Sequence, residues 1–171
     1  MSITSFLSVL FSSALASVLF ISPSLAQERF AVKDADLVFS YILPEGWVQQ
    51  DDDYYHYILS PDRKAQISLT YFDGMCEHLD ECYIGEVEGR LQSEYSGFEL
   101  LREDSLNIGG SEARQAVISG SRDGSKYLIY AYFFIWEDQF FKIIAYLPHQ
   151  ATGRMQTTVD ETVKSLRLRL P

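Results

Sequence analysis

Cysteine is almost missing from this chain: Cys76 and Cys82 are the only two in 171 residues. One intrachain bridge is the most they can form, so a multi-bridge scaffold is excluded. Histidine is equally sparse, at positions 56, 78 and 149. No Gly-x-Ser-x-Gly elbow occurs, and no phosphate-cradling glycine loop follows a strand. Basic residues are outnumbered, 14 Lys and Arg against 24 Asp and Glu, for a net charge of -10. Such a chain repels phosphate backbones and shows no basic stripe, so nucleic acid is not expected as a partner. Docking onto an anionic lipid surface is disfavoured for the same reason. After Gln27 there is no internal repeat, low-complexity tract or flexible linker.

One long apolar run is present, at the start. Ile3 to Ile21 holds no charge, Pro23 breaks it, and Ser24-Leu25-Ala26 precedes Gln27. Small residues at these positions are what signal peptidase accepts, which predicts a signal peptide over 1–26 cut between Ala26 and Gln27. No Lys or Arg stands ahead of the run, so the amino terminus must supply the positive end. The competing reading is a retained anchor, since about 17 apolar residues can span a bilayer. Five serines and a threonine dilute the stretch. Cleavage leaves residues 27–171, one ordinary domain carrying the whole negative charge and no stable membrane span. The expected location is periplasmic or secreted.

In that oxidising setting, Cys76 and Cys82 read most simply as a disulfide clipping the entry to a helix. Zinc would need two further ligands from among Glu77, His78, Asp80 and Glu81. His78 and Glu81 share a helical turn and are the weak metal candidates. A redox pair would read Cys-x-x-Cys, which this is not.

Leu37–Leu43, Tyr54–Leu59 and Ala65–Phe72 are rich in aromatic and β-branched residues and predict strands. Pro44-Glu45-Gly46 turns the chain after the first of them. Ile84, Val87, Leu91 and Tyr95 then recur at helical spacing, and Ser96-Gly97 ends that helix. Gly85 and Gly89 weaken it by about 1 kcal/mol each, and are expected to face the sheet where close approach is needed. Four strands follow across Gly109-Gly110, Asp123-Gly124 and Glu137-Asp138, with Asp-Gly the strongest hairpin signal. Met155, Val159, Val163 and Leu166 predict a closing amphipathic helix.

Tyr127–Trp136 is nearly all apolar, which a strand tolerates when both its faces are covered. The expected fold is therefore α+β: an α/β/α sandwich on a largely antiparallel sheet of six or seven strands, one helix on each face. Were both helices on one face, Tyr130, Tyr132 and Phe134 would form an exposed aromatic surface facing a ligand. Asp51-Asp52-Asp53 lacks the alternating pattern of a calcium loop and reads as a solvated turn.

The Pro44-Glu45-Gly46-Trp47 turn, the Gly109-Gly110 hairpin ahead of Tyr- and Phe-rich strands, and the closing Val163-Lys164-Ser165-Leu166 resemble the PsbP-like and DcrB-like group of small exported domains. The resemblance runs from Phe39 to Leu168. It implies a sheet between helices, no cofactor and no single reaction type. Members bind and assist, among them an extrinsic photosystem subunit, periplasmic proteins and cytoplasmic adaptors; a signal peptide argues against the last. No functional residue carries over.

The favoured function is an exported, non-enzymatic binding or accessory protein of the periplasm or cell envelope. A sheet face, or the crevice at one helix, would hold an envelope protein partner or a small ligand. Two alternatives are a purely structural envelope or stress protein, and a metal-dependent hydrolase built from scattered residues such as His56, His78 and Asp73.

Overall fold

The computed structural model describes residues 29–33, 37–52, 55–151 and 153–170. The expected signal peptide, with the Ala26-Gln27 bond, lies outside them. Among the described residues, ten strands and a broken helix precede or flank a final helix. They are β1 (Arg29–Lys33), β2 (Val38–Ile42), β3 (Val48–Asp51), β4 (His56–Leu59) and β5 (Gln66–Asp73). After the first helical segment come β6 (Ser96–Ile108), β7 (Ser111–Arg122), β8 (Ser125–Trp136) and β9 (Gln139–Pro148); β10 (Arg167–Arg169) closes the chain. The first segment runs as α1 (Leu79–Ile84), a π-helical stretch Gly85–Leu91 and α2 (Gln92–Glu94), and the final helix is α3 (Gly153–Lys164).

Seven strands form one antiparallel sheet in the order β3-β4-β5-β9-β8-β7-β6. Its centre is the predicted meander. At Asp123 and Gly124 both φ angles are positive, +53° and +76°, the geometry that joins β7 to β8 with a two-residue turn matching strand twist. The outer strand β6 carries two register shifts and the charges of Glu99, Arg102, Glu103 and Asp104, which blunt an otherwise long edge.

Both faces of this sheet are covered, one helix to each. On one face Tyr83, Val87, Leu91 and Tyr95 pack over Ile118, Ile129, Ala131, Phe133 and Phe140. On the other, Val159 and Val163 of α3 join Phe39, Tyr41, Tyr132, Phe134 and Phe141. Phe134 and Phe141 stack at 4.7 Å between ring centres across paired strands.

Three details depart from expectation. Leu37–Leu43 was expected in the main sheet, yet β2 leaves it for a three-stranded sheet in the order β1-β2-β10. Both ends of the domain thus pair with one strand, and that small sheet shares the α3 face. The first helix also turns differently: Tyr83 is buried while Ile84 is 51% exposed. A wide π turn places residues four apart on one line, so the stripe runs 83, 87, 91, 95. Finally, Gly85 and Gly89 face open space. Close approach falls instead on Gly120, where an added Cβ would meet the Tyr95 Cβ at 2.8 Å.

Among the described residues no helix is long and apolar enough to cross a membrane.

Candidate functional site

Covering both faces decides the fate of the aromatic stripe. Tyr130, Tyr132 and Phe134 lie under α3, 5%, 0% and 0% exposed, so they are core rings and face no open groove. The Tyr132 hydroxyl donates to Asp160 of α3 at 2.5 Å. Burial, then the Asp160 carboxylate, push that phenol far above its ordinary value. The ring that could have been a platform is a strut between sheet and helix.

Cys76 and Cys82 are joined in a disulfide, and His78 stands at the start of α1 inside the loop it closes. His78 and Glu81 are both exposed on that first turn. Among the described residues, no three His, Cys, Asp or Glu side chains gather as a metal set. Asp80 is taken by Arg114 at 2.9 Å.

His56, His78 and Asp73 do not converge. His56 pairs with Leu69 across β4 and β5, and Asp73 lies four residues further along β5, roughly 13 Å away at strand rise. Asp73 accepts instead from the Gln139 amide at 3.0 Å. His56 is buried, bonded to the Tyr41 hydroxyl at 2.7 Å through Nε2 and to the Asp51 carboxylate through Nδ1. Burial lowers its pKa, with Asp51 opposing, so the ring is neutral near pH 7. Asp51 therefore belongs to a core bond; from sequence it read as part of a solvated turn. Asp52 receives the Tyr55 N–H at 2.7 Å, and Asp53 lies outside the described residues.

A groove of about 850 Å³ runs between the β2–β3 turn and α3. The turn builds one wall. Trp47 N–H donates to the Pro44 carbonyl at 3.1 Å, and Gly46 takes a φ of +76° that few other residues adopt. This holds the Trp47 indole against the core while Pro44 and Glu45 form the rim. Opposite, α3 presents Arg154, Met155, Thr157 and Glu161. The Thr157 and Thr158 hydroxyls donate back to the carbonyls four residues earlier, each at 3.0 Å. No described histidine or cysteine lines this groove to activate or act as a nucleophile. Trp47, Met155 and Ile42 give the groove apolar ground among threonines, and its rims carry charges of both signs. From sequence Trp47 was legible only as part of a turn; that the turn faces α3 is a tertiary fact.

A seven-stranded antiparallel sheet with one helix per face, and a Pro-x-Gly-Trp turn at the mouth of its main crevice, define a domain of PsbP-like architecture. Solved structures of this fold include LpqN of Mycobacterium tuberculosis, titled as involved in cell envelope biogenesis (TM-score 0.63, 13% identical, 84% of this chain and 91% of that one). The cyanobacterial PsbP, CyanoP, of Synechocystis sp. PCC 6803 is similar over 92% of this chain and 98% of its own (TM-score 0.60, 9% identical). The Ran-binding protein Mog1p of Saccharomyces cerevisiae matches over 75% and 89% (TM-score 0.57, 12% identical). The chain spans 45% of a longer Bacteroides thetaiotaomicron VPI-5482 protein of related fold. No family model matches the sequence, and no curated protein does. At these identities the likeness is one of fold.

Proposed function

We propose that this protein is an exported, non-enzymatic accessory protein of the cell envelope that grips a segment of a partner protein in the crevice between the Pro44–Trp47 turn and α3. The observation that carries this reading is the crevice itself: about 850 Å³, open, anchored by Trp47 and Met155, with Arg154, Glu45 and Glu161 on its rims. A buried aromatic anchor inside a polar rim is the usual anatomy of a protein-holding site. The leader ending at Ala26 supports export, and the acidic surface favours solubility outside the cytoplasm. Related folds titled for envelope biogenesis and for Ran binding agree with a scaffold that serves by binding.

The test is affinity capture by the exported protein from its host's envelope fraction, run beside a Thr157→Arg variant. Thr157 is exposed on α3, so arginine there fills the groove without touching the core. A partner retained by the wild type and lost from the variant supports the proposal. Capture that ignores the substitution, or turnover of a substrate by the purified protein, defeats it.

A further inference from the structure

The other face of the sheet carries a second groove, of about 420 Å³, with unusual charge for so acidic a chain. The first helix covers only the β7–β8–β9 end of that face. Register places what remains: Tyr57 opposite Ser68, Ser68 opposite Ile144, Gln66 opposite Tyr146, and Thr70 opposite Lys142. Alternation along each strand turns all of them to one side. Arg90 comes from the π-helical stretch, a wide turn of a kind often found at functional sites, and Arg122 from the end of β7.

Three cations thus meet at one groove, and most of their charge is already answered. Glu86 accepts from Arg90 Nε at 2.6 Å and from Lys142 Nζ at 3.0 Å. Glu94 accepts from Arg90 Nη1 at 2.9 Å. Burial would raise the Glu86 pKa, but hydrogen bonds from Arg90 and Lys142 outweigh it and hold the carboxyl below its ordinary value. Arg122 differs. Its guanidinium stands 3.8 Å from the Glu94 carboxylate, beyond hydrogen-bond range. It is held over the faces of Tyr95 and Tyr146, at 5.2 and 5.6 Å, with its side chain 45% exposed. Contact through the ring faces fixes a guanidinium without using its N–H donors. Across the groove Tyr55 and Tyr57 stack at 5.6 Å. Asp52 accepts the Tyr55 N–H and also a hydrogen bond from the Tyr57 hydroxyl, so its carboxylate lies at the edge of this groove, on the side of the neighbouring one.

Glu86 and Glu94 answer Arg90 and Lys142 through hydrogen bonds, which leaves the Arg122 guanidinium to pair one negative charge; with Asp52 also at the groove's edge, a dianion is poorly matched. A planar fork of donors suits a carboxylate, and the tyrosine walls suit a ring. We propose that this groove binds a small aromatic monocarboxylate, its carboxylate paired with Arg122 and its ring laid among Tyr55, Tyr57 and Tyr146. The site is separate from the α3 crevice and independent of the function proposed there.

The probe is 4-hydroxyphenylacetate, titrated into the exported protein by calorimetry and followed by tyrosine ring shifts in NMR. Its neutral amide, acetate and inorganic phosphate are the comparators. The acid should bind saturably, with acetate and the amide at least tenfold weaker. Arg122→Gln should weaken it tenfold or more, Arg122→Lys less, and Thr157→Arg not at all. Absence of saturable binding overturns the proposal, as does equal binding by Arg122→Gln. Phosphate binding more tightly than the acid would also overturn it, leaving only a general anion patch.

Discussion

Tyr41 of the small sheet and His56 of the large one share a 2.7 Å hydrogen bond inside the core, and the Gln49 side-chain oxygen of the large sheet lies 3.2 Å from the same hydroxyl, so Tyr41 ties the two sheets together. Asp51 can only accept, so Nδ1 carries the hydrogen and the neutral ring receives the Tyr41 hydroxyl at Nε2. Tyr41→Phe leaves that nitrogen buried and unpaired. The expected cost is about 1–3 kcal/mol in urea unfolding.

The same histidine gives the fold a pH dependence of fixed sign. Its folded pKa lies below the ordinary 6.5, chiefly through burial. Between those two values the unfolded chain binds a proton that the folded chain does not, so stability falls as the medium is acidified. The contribution is complete above about 6.5 and lost as pH drops through the folded pKa. Urea midpoints of the wild type and His56→Gln should therefore differ most at pH 7.5 and draw together towards pH 5. A gap that widens on acidification would contradict the assignment.

Gly120 and Gly89 should respond oppositely to alanine. At Gly120 the new Cβ would sit 2.8 Å from the Tyr95 Cβ, a contact that requires the helix exit to move. Overpacking of this kind costs about 1–3 kcal/mol. Gly89 faces open space in a helical backbone, so alanine there removes unfolded-state freedom and should raise stability by up to ~1 kcal/mol. Thermal melts of the two variants check the pair of signs.

Much of the architecture was written locally. Asp123-Gly124 announces its turn, and the nearly all-apolar run Tyr127–Trp136 announces a strand with two covered faces, hence a helix for each. What escaped has no local signature. β3 reads Val-Gln-Gln-Asp and β10 reads Arg-Leu-Arg, each with one apolar residue, and both form by pairing with a partner strand. β2 joins the ends of the chain, a contact no window of sequence contains. The grooves follow the same rule. Trp47 and α3 were separately legible, but their facing one another was not. Arg90, Arg122 and Lys142 lie on three different elements, and only the register of β7–β8–β9 together with the packing of the first helix on them unites the three.

The leader makes its own prediction. Intact mass of the exported protein should correspond to a chain beginning at Gln27. A mass that includes Met1 would instead mean that the apolar run is retained as an anchor, and the accessory role would have to be exercised at a membrane surface.

Reduction of the Cys76–Cys82 bridge should loosen the entry to α1 without dissolving the domain. The bridge closes a span of only 6 residues in sequence, so little chain entropy is removed from the unfolded state. A Cys76→Ser, Cys82→Ser double variant is expected to lose about 2 kcal/mol in urea unfolding. Hydrogen exchange should quicken first at residues 79–84, whose helix has no side-chain cap at His78.

Glu86 is the residue on which the helix-face charge balance turns. Its carboxylate takes hydrogen bonds from two cations, and both it and Lys142 are mostly buried, 13% and 12% exposed. Glu86→Gln strands Arg90 and Lys142 beside each other in a half-desolvated site, where loss of one partner costs more than the pair contributes. The expected penalty is about 2 kcal/mol at pH 7. Because the folded carboxyl sits below its ordinary pKa of 4.5, its contribution is whole above that value and disappears as pH falls through the folded pKa. The stability gap between wild type and Glu86→Gln should therefore narrow as the pH is taken below 4.5, and a Lys142→Met partner variant should recover part of the loss at neutral pH.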